Sequence, residues 1–412
     1  MSDSVLVSVE LDGRTVEVGT AYFTYRQGVT STSFRYAEEY LARPGAYAID
    51  PAMPLLKGNY APAGLPGAFA DCSPDRWGKN LISKAIRAQA LREARTVPSV
   101  GDVDYLLGVS DLTRQGALRF RQEADGDFLH QGLNVPKLIE LPRLLRAADV
   151  VAQDADDLSA VKDLLDAGSG SLGGARPKAS VRDDRRLLIA KFPHHSDEWD
   201  VMGWEKTALD LAERAGIDTP HRETAVIDGR TVLLLERFDR DQGRRVGYMS
   251  AMTMVEGRDG SPGDYLEVAE TLTEFSSRTS EDLHQLWRRI VFSIAIHNTD
   301  DHLRNHGFLR DGASGWRISP IFDVNPNPDG AAQRVTGIGG AHRREDELDG
   351  LITYAGSFRV TTADARQIIR DVLDATADWQ RVATGNGIAK SQLPRFHDAF
   401  EGVRKPLGEL IH

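Results

Sequence analysis

Ile296-His-Asn-Thr-Asp-Asp-His-Leu-Arg-Asn-His-Gly-Phe-Leu309 sets two aspartates, three histidines and two asparagines close together. A strand pattern, Trp316 to Ile318, comes next, followed by Pro320-Ile-Phe-Asp-Val-Asn325. Asp300, an asparagine five residues on (Asn305) and a further aspartate about 20 residues later (Asp323) follow the logic of phosphoryl transfer. In that logic the first aspartate orients or deprotonates an acceptor hydroxyl. The asparagine and the second aspartate are hard oxygen ligands for Mg2+. So dense a polar group behind an apolar helix is costly as mere decoration. A zinc site made of His297, Asp300, His302 and Asp323 is the alternative chemistry for the same residues.

The helix that delivers this loop is legible upstream. Leu283, Leu286, Trp287, Ile290, Val291 and Ile294 fall at helical spacing from about Glu281 to Ile296. Thr279 or Ser280 is the expected N-cap, with Glu281 and Asp282 in the first turn.

Three other stretches bear on a phosphate chemistry. Gly168-Ser-Gly-Ser-Leu-Gly-Gly-Ala-Arg-Pro-Lys178 contains a literal G-x-G-x-x-G, but a helix precedes it and strands follow. That order is wrong for a dinucleotide fingerprint. It suits a flexible loop laid over phosphates, with backbone N–H groups as donors; an ordinary surface loop is the bland reading. Lys191 lies inside the apolar run Leu187-Leu-Ile-Ala-Lys-Phe-Pro193. A lysine there is costly unless its ammonium meets an anion. In a kinase-type fold it pairs with phosphates and with a helix glutamate, for which Glu205 is the natural choice; otherwise it snorkels from an edge strand. Leu233-Leu-Leu-Glu-Arg-Phe-Asp-Arg240 runs from an apolar strand into charges around one aromatic. This suits a hinge at which backbone groups of Glu236 to Phe238 hold a base, or else a strand end with salt bridges.

Elsewhere, Val5, Val7 and Val9 share a strand face before Asp12-Gly13 and a returning alternation at Thr15 to Val18, a hairpin signature. Residues 42–78 are rich in proline and glycine and read as loop. A helix is expected from about Asn80 to Arg95, then a short helix and a strand ending at Arg119-Phe120. Two helices fill about 134–166 on the Leu138/Leu141/Leu144/Leu145 and Leu158/Val161/Leu164/Leu165 faces. Strands follow at Lys178–Arg182 and Arg186–Phe192, an amphipathic helix from about Asp200 to Ala215 stopped by Gly216, and a hairpin over 223–236. The tail from about Thr361 is helical with loops.

The chain has 412 residues with 50 Lys+Arg against 61 Asp+Glu, a formal charge of −11. That balance argues against a self-sufficient DNA binder. A content of 41% hydrophobic and 27% charged residues is that of a globular protein and excludes wholesale disorder. One cysteine, Cys72, excludes an internal disulfide framework or a multi-cysteine metal site and fits a reducing compartment. The N-terminus lacks the features of a signal peptide, and no apolar run reaches membrane-spanning length. A soluble, cytoplasmic protein without membrane contact is the expectation.

At these residues the sequence resembles the HipA family of toxin kinases. Ser171-Leu-Gly-Gly-Ala-Arg-Pro-Lys178 is similar to the family's glycine-rich ATP loop, and Ile189-Ala-Lys-Phe-Pro193 to its ATP-lysine strand. Glu236-Arg-Phe-Asp-Arg240 resembles its hinge, Asn298 to Asn305 its catalytic loop and Phe322-Asp-Val-Asn325 its metal motif. Leu65-Pro-Gly-Ala-Phe-Ala-Asp71 and Pro74-Asp-Arg-Trp-Gly78 are similar to its accessory N-terminal subdomain. Asp301 stands where a glycine is common, which leaves the choice of base between Asp300 and Asp301 open at this point.

The resemblance implies an α+β, bilobal protein-kinase-like fold. It divides as an accessory N-terminal subdomain (1–125), a mixed α/β N-lobe with glycine-rich loop and hinge (126–242) and an all-α C-lobe (243–412). It implies a serine/threonine protein kinase using ATP and Mg2+. Asp300 would be catalytic, and Ser171, Gly173, Gly174, Lys191, Glu236, Phe238 and His302 would hold nucleotide. Asn305 and Asp323 would hold the metal, and Ser171 would be autophosphorylated, with Ser169 a second candidate. The implied partners are a helix-turn-helix, HipB-like antitoxin dimer, which carries the contact with operator DNA, and a protein substrate such as an aminoacyl-tRNA synthetase. A co-repressor with weak kinase activity and a small-molecule or lipid phosphotransferase are the rival functions.

Overall fold

Strand β1 (Ser2–Leu11) turns back into β2 (Arg14–Arg26), which pairs with β3 (Val29–Tyr36). Val5, Val7 and Val9 are buried on one face, as the alternation requires. The computed structural model describes residues 2–411 apart from 12, 27–28, 130–134, 154–156, 170–175, 185 and 259. Ser171, Gly173 and Gly174 therefore lie outside the described residues, as does Asp12 of the first turn.

Two compact units divide the chain. The first comprises Met1–Ser196 and Ala225–Met249, the second Asp197–Thr224 and Ser250–His412. In the first unit, helix α1 (Arg76–Arg92) starts at the N-cap Asp75, whose carboxylate accepts from the Gly78 N–H at 2.9 Å. Strand β4 (Arg119–Arg121) then pairs antiparallel with β1, giving the sheet order β3-β2-β1-β4.

The 134–166 stretch yields α2 (Leu141–Ala152) and α3 (Leu158–Asp166). They cover a second sheet, β5 (Lys178–Asp183), β6 (Arg186–Lys191), β7 (Arg222–Ile227) and β8 (Arg230–Glu236), ordered β5-β6-β8-β7. Leu144, Leu145, Val161 and Leu164 pack there on Ala179, Val181, Leu188, Ala190 and Val232, with Trp77 and Leu81 of α1 in the same core. Asp228 and Gly229, at the β7–β8 turn, have φ of 50° and 74°. Left-handed backbone at both central positions matches the twist of the flanking strands, and Asp-Gly tolerates it.

In the second unit, α4 (Val201–Arg214) is followed by Gly216 at φ 75°, the left-handed stop the sequence signals. Helices α5 (Tyr265–Phe275) and α6 (Thr279–Ala295) precede the hairpin of β9 (Gly307–Asp311) and β10 (Gly315–Ile318). Helix α7 (Thr362–Thr376) packs on α6. All six apolar positions named for α6 are fully buried.

Its start differs from expectation. The helix begins at Thr279 with Arg278 as N-cap, and neither Thr279 nor Ser280 caps it. Ser276 does part of that work from outside. Its Oγ accepts from the Arg278 N–H at 2.9 Å and donates to Asp282 Oδ2 at 2.7 Å. Asp282 also accepts from the Ile318 N–H at 3.1 Å, so the first turn of α6 is tied to β10 and needs no cap of its own.

Candidate functional site

The 296–309 stretch leaves α6 through a left-handed residue, His297 at φ 53°. Its Nε2 meets the Asp329 carbonyl at 3.0 Å. Asn298 then locks the turn. Its N–H reaches the Ser293 carbonyl at 2.8 Å, its Nδ2 donates to Ser293 Oγ at 3.1 Å and its Oδ1 accepts from the Asn325 N–H at 3.4 Å. Thr299 Oγ1 accepts from Asn327 Nδ2 at 2.7 Å. These bonds hold the catalytic-loop stretch and the 322–327 stretch together within the second unit.

Asp300 and Asp301 diverge from there. The Asp300 side chain is exposed. Partial desolvation pushes its carboxyl up; His302 pulls it down, and the carboxylates of Asp323 and Asp301 push it up again. A raised carboxylate is a better proton acceptor near neutral pH.

Asp301 is 6% exposed. Its Oδ2 accepts from Tyr265 Oη and from Ser293 Oγ (3.0 Å), and its Oδ1 lies 3.0 Å from His306 Nε2. Burial alone would raise this carboxyl, but His306 and the Tyr265 hydroxyl outweigh it and hold it well below the usual carboxylate range. Its backbone carbonyl accepts from Thr336 Oγ1 at 2.6 Å. Of the two, Asp300 is thus the one open to a substrate and Asp301 the one consumed by structure.

Asn305 is buried and donates from Nδ2 to the Asp300 carbonyl at 3.1 Å. That bond sets the spacing between the two residues. Asp323 has φ 57°, a strained conformation for a residue with a side chain, and is half-buried. His302 is half-buried, and its Nδ1 has no hydrogen-bond partner. Among the described residues no three His, Cys, Asp or Glu side chains converge as a metal-ion site. The four-ligand zinc arrangement is therefore not the geometry of His297, Asp300, His302 and Asp323.

Behind the loop lies a set of residues that no local motif marks. Buried Arg334 donates to Glu347 Oε2 (3.2 and 3.1 Å) and to the Asn298 carbonyl (3.2 Å). It reaches the loop from far along the chain, so no spacing rule finds it.

In the first unit, Lys191 is 8% exposed and sits on β6, an interior strand, so an edge-strand snorkel does not describe it. It faces Lys178 across the antiparallel pair, and Leu188, three residues back, faces Glu236. Lys178 is buried too, and its ammonium pairs with Asp75 at 3.1 Å. Burial raises the Asp75 carboxyl more than Lys178 lowers it. Glu236 and Phe238 are half-buried, with Arg186 NH1 3.6 Å from Glu236. Glu205 is 1% exposed on α4, in the other unit from Lys191.

Cys72 is buried and its thiol pushed up to about 11 by desolvation, which suits a structural residue rather than a nucleophile. Among the described residues no helix is long and apolar enough to cross a membrane.

Sheets backed by helices in one unit, and a helical unit with an Asp–Asn–Asp loop in the other, define an α+β protein of kinase-like fold. The HipA-like C-terminal domain matches residues 170–380 and the HipA N-terminal domain residues 13–102. The chain belongs to the HipA family.

A solved HipA, from the Shewanella oneidensis MR-1 toxin–antitoxin complex of HipA, HipB and operator DNA, superposes with TM-score 0.61 at 14% identity. The superposition covers 98% of this chain and 99% of that one. Among curated proteins, the kinase-named Y4mE of Sinorhizobium fredii is 25% identical over 205 residues, 46% of this chain and 47% of that protein. A kinase-named protein of Haemophilus influenzae is 23% identical over 143 residues, 30% of this chain and 42% of that protein. The chain thus spans less than half the length of either curated relative.

Proposed function

We propose that the protein is a serine/threonine protein kinase that uses ATP and Mg2+ and acts as the cytoplasmic toxin of a toxin–antitoxin pair. The carrying observation is the environment of Asp300. It is an exposed, proton-hungry carboxylate beside Asp323, with Asn305 bonded to its own backbone. Asp300 accepts the proton of the acceptor hydroxyl at its carboxylate. The oxygen donors of Asn305 and Asp323 fit Mg2+, whose bound charge would neutralise the phosphates. Lys191 and the Ser171, Gly173 and Gly174 loop bind phosphates, and Glu236 to Phe238 hold the base. The unpartnered Nδ1 of His302 is a buried polar atom that a bound nucleotide would satisfy.

The antitoxin is a helix-turn-helix dimer that makes most of the operator contact, in keeping with a chain of charge −11. The substrate is a translation component such as an aminoacyl-tRNA synthetase. Autophosphorylation at Ser171 would place a charge of about −1.5 to −2 where ATP phosphates must sit and so silence the enzyme.

Incubation with labelled ATP and Mg2+ tests the chemistry. Label should reach Ser171 in the wild type and be lost in Asp300→Asn. Label that persists in Asp300→Asn sinks the assigned base. Phosphoproteomics before and after induction names the target; an absence of new phosphoproteins turns the reading to a small-molecule substrate.

A further inference from the structure

Past the end of β8, where the chain turns, exposure changes from residue to residue. Glu236 and Phe238 are half-buried, whereas Arg237 and Asp239 are 4% and 3% exposed. At the end of β8 and in the turn that follows, Glu236 and Phe238 thus lie toward the surface while Arg237 and Asp239 are turned inward. The front face is the edge assigned above to the base. The back face enters a cluster of arginines.

Arg237 grips Asp239 with two parallel bonds, Nε to Oδ1 at 2.8 Å and NH2 to Oδ2 at 2.6 Å. Asp239 Oδ2 also accepts from Arg240 NH1 at 2.8 Å and from the Gly116 N–H at 2.8 Å. The arginines in turn hold the 111–116 loop. Arg237 NH1 donates to the Thr113 carbonyl (2.5 Å) and Arg240 NH2 to the Arg114 carbonyl (2.8 Å). Gly116 itself has φ 72°, and a Cβ there would stand 3.2 Å from the Tyr248 backbone, so the close approach needs glycine.

This loop leads straight into β4, the edge strand paired with β1. Arg119 of β4 is bidentate to Asp111, and Arg245 NH2 lies 3.3 Å from the same carboxylate. The Arg245 N–H also donates to Glu10 on β1 at 3.2 Å. Arg245 NH1 shares the Arg114 carbonyl (3.3 Å) with Arg240, so charge-assisted hydrogen bonds join the N-terminal sheet to the back of 236–238. Such bonds are about twice as strong as neutral ones.

We propose that Asp239 is a positioning residue for nucleotide binding. With Arg237 and Arg240 it fastens the back of the 236–238 edge to the 111–116 loop, so the N-terminal sheet and the nucleotide edge respond to one another. This rests on the reading that 236–238 hold the base.

The test uses the full chain with Asp239→Asn, and with the milder Arg240→Gln should the first fail to fold. A fluorescent ATP analogue with Mg2+ measures affinity, and hydrogen exchange followed by mass spectrometry measures the backbone. The expected result is an affinity loss of about tenfold, typical of a coupling between sites. It appears in KM for ATP with kcat kept, and exchange rises together at 236–241 and 111–116. An affinity within about twofold of wild type in the folded variant overturns the proposal. So does faster exchange spread evenly over β5 and β6, which a general loss of stability would give. Failure of the wild type itself to bind the analogue sinks the kinase reading instead, and the exchange data then still decide whether the two segments are coupled.

Discussion

Asp300 and Asp301 are neighbours in the chain and opposites in environment: one carboxylate is exposed and raised, the other buried and held down by His306 and Tyr265. The backbone turns between them, so one residue faces chemistry and the next anchors the loop. The two isosteric changes should therefore separate. Asp300→Asn is expected to abolish phosphoryl transfer and leave the unfolding midpoint nearly unchanged. Asp301→Asn should cost about 3 kcal/mol, because a buried partner set loses its charge. Urea unfolding beside a labelled-ATP assay checks both. Equal loss of stability in the two variants contradicts the division of labour.

The Asp301 carboxyl also predicts a pH dependence. Its folded pKa lies below the unfolded value of about 3.9, so the folded state binds fewer protons. The stabilisation is complete above the unfolded value and fades as pH falls toward the folded one. The stability gap between wild type and Asp301→Asn should stay flat from about pH 7 to about pH 5 and narrow below about pH 4. Denaturant titrations across that range measure it; a gap that widens on acidification contradicts the sign.

Local pattern carried much of this far. The apolar stripe of α6, the Val5/Val7/Val9 face and the Asp228-Gly229 turn are each written in consecutive residues, and the structure forms each of them. Asp300, Asn305 and Asp323 were visible because a loop chemistry imposes spacing on one stretch of chain. Arg334, Glu347 and Tyr265 were not, since they meet the loop only after distant segments pack. The start of α6 escapes local pattern for a related reason. A hydroxyl at Thr279 suffices on local grounds, but Ser276 and the bond from the Ile318 N–H to the Asp282 carboxylate decide where the first turn is tied.

The Asp75–Lys178 pair couples a helix cap to a buried charge, and its two roles can be taken apart. Oδ1 caps α1 through Gly78, while Oδ2 meets the Lys178 ammonium. Asp75→Asn keeps an N-cap side chain and loses the ion pair. Asp75→Ala loses both. Breaking a buried pair from one side costs about 3–5 kcal/mol, and an N-cap about 1 kcal/mol. Asp75→Ala should therefore be the less stable of the two by about 1 kcal/mol, with Lys178→Met restoring part of the loss in either background. Thermal unfolding of the set decides it, and no recovery in the double variants would contradict a cost borne by the Asp75–Lys178 pair.

Arg334 and Glu347 form a pair whose two ends respond differently to pH. Both are buried, Arg334 3% and Glu347 2% exposed. Burial raises the Glu347 carboxyl above its ordinary value even with Arg334 beside it. With Arg334→Met that carboxyl loses its partner, but it can shed its charge by taking a proton. The reverse change, Glu347→Gln, leaves a guanidinium that cannot. Both should cost about 3–5 kcal/mol near pH 7. On lowering the pH to about 5 the Arg334→Met deficit should shrink, because a folded pKa raised above about 4.3 makes the folded state the better proton binder. The Glu347→Gln deficit should widen instead, because the wild-type Glu347 carboxyl, itself raised, takes a proton more readily in the folded state and the glutamine cannot. Arg334→Met also frees the Asn298 carbonyl, so its phosphoryl-transfer rate should fall even at the pH where its stability recovers. Urea unfolding and single-turnover rates at the two pH values test the pair, and recovery of rate in step with stability would show that Arg334 does no more than hold the fold.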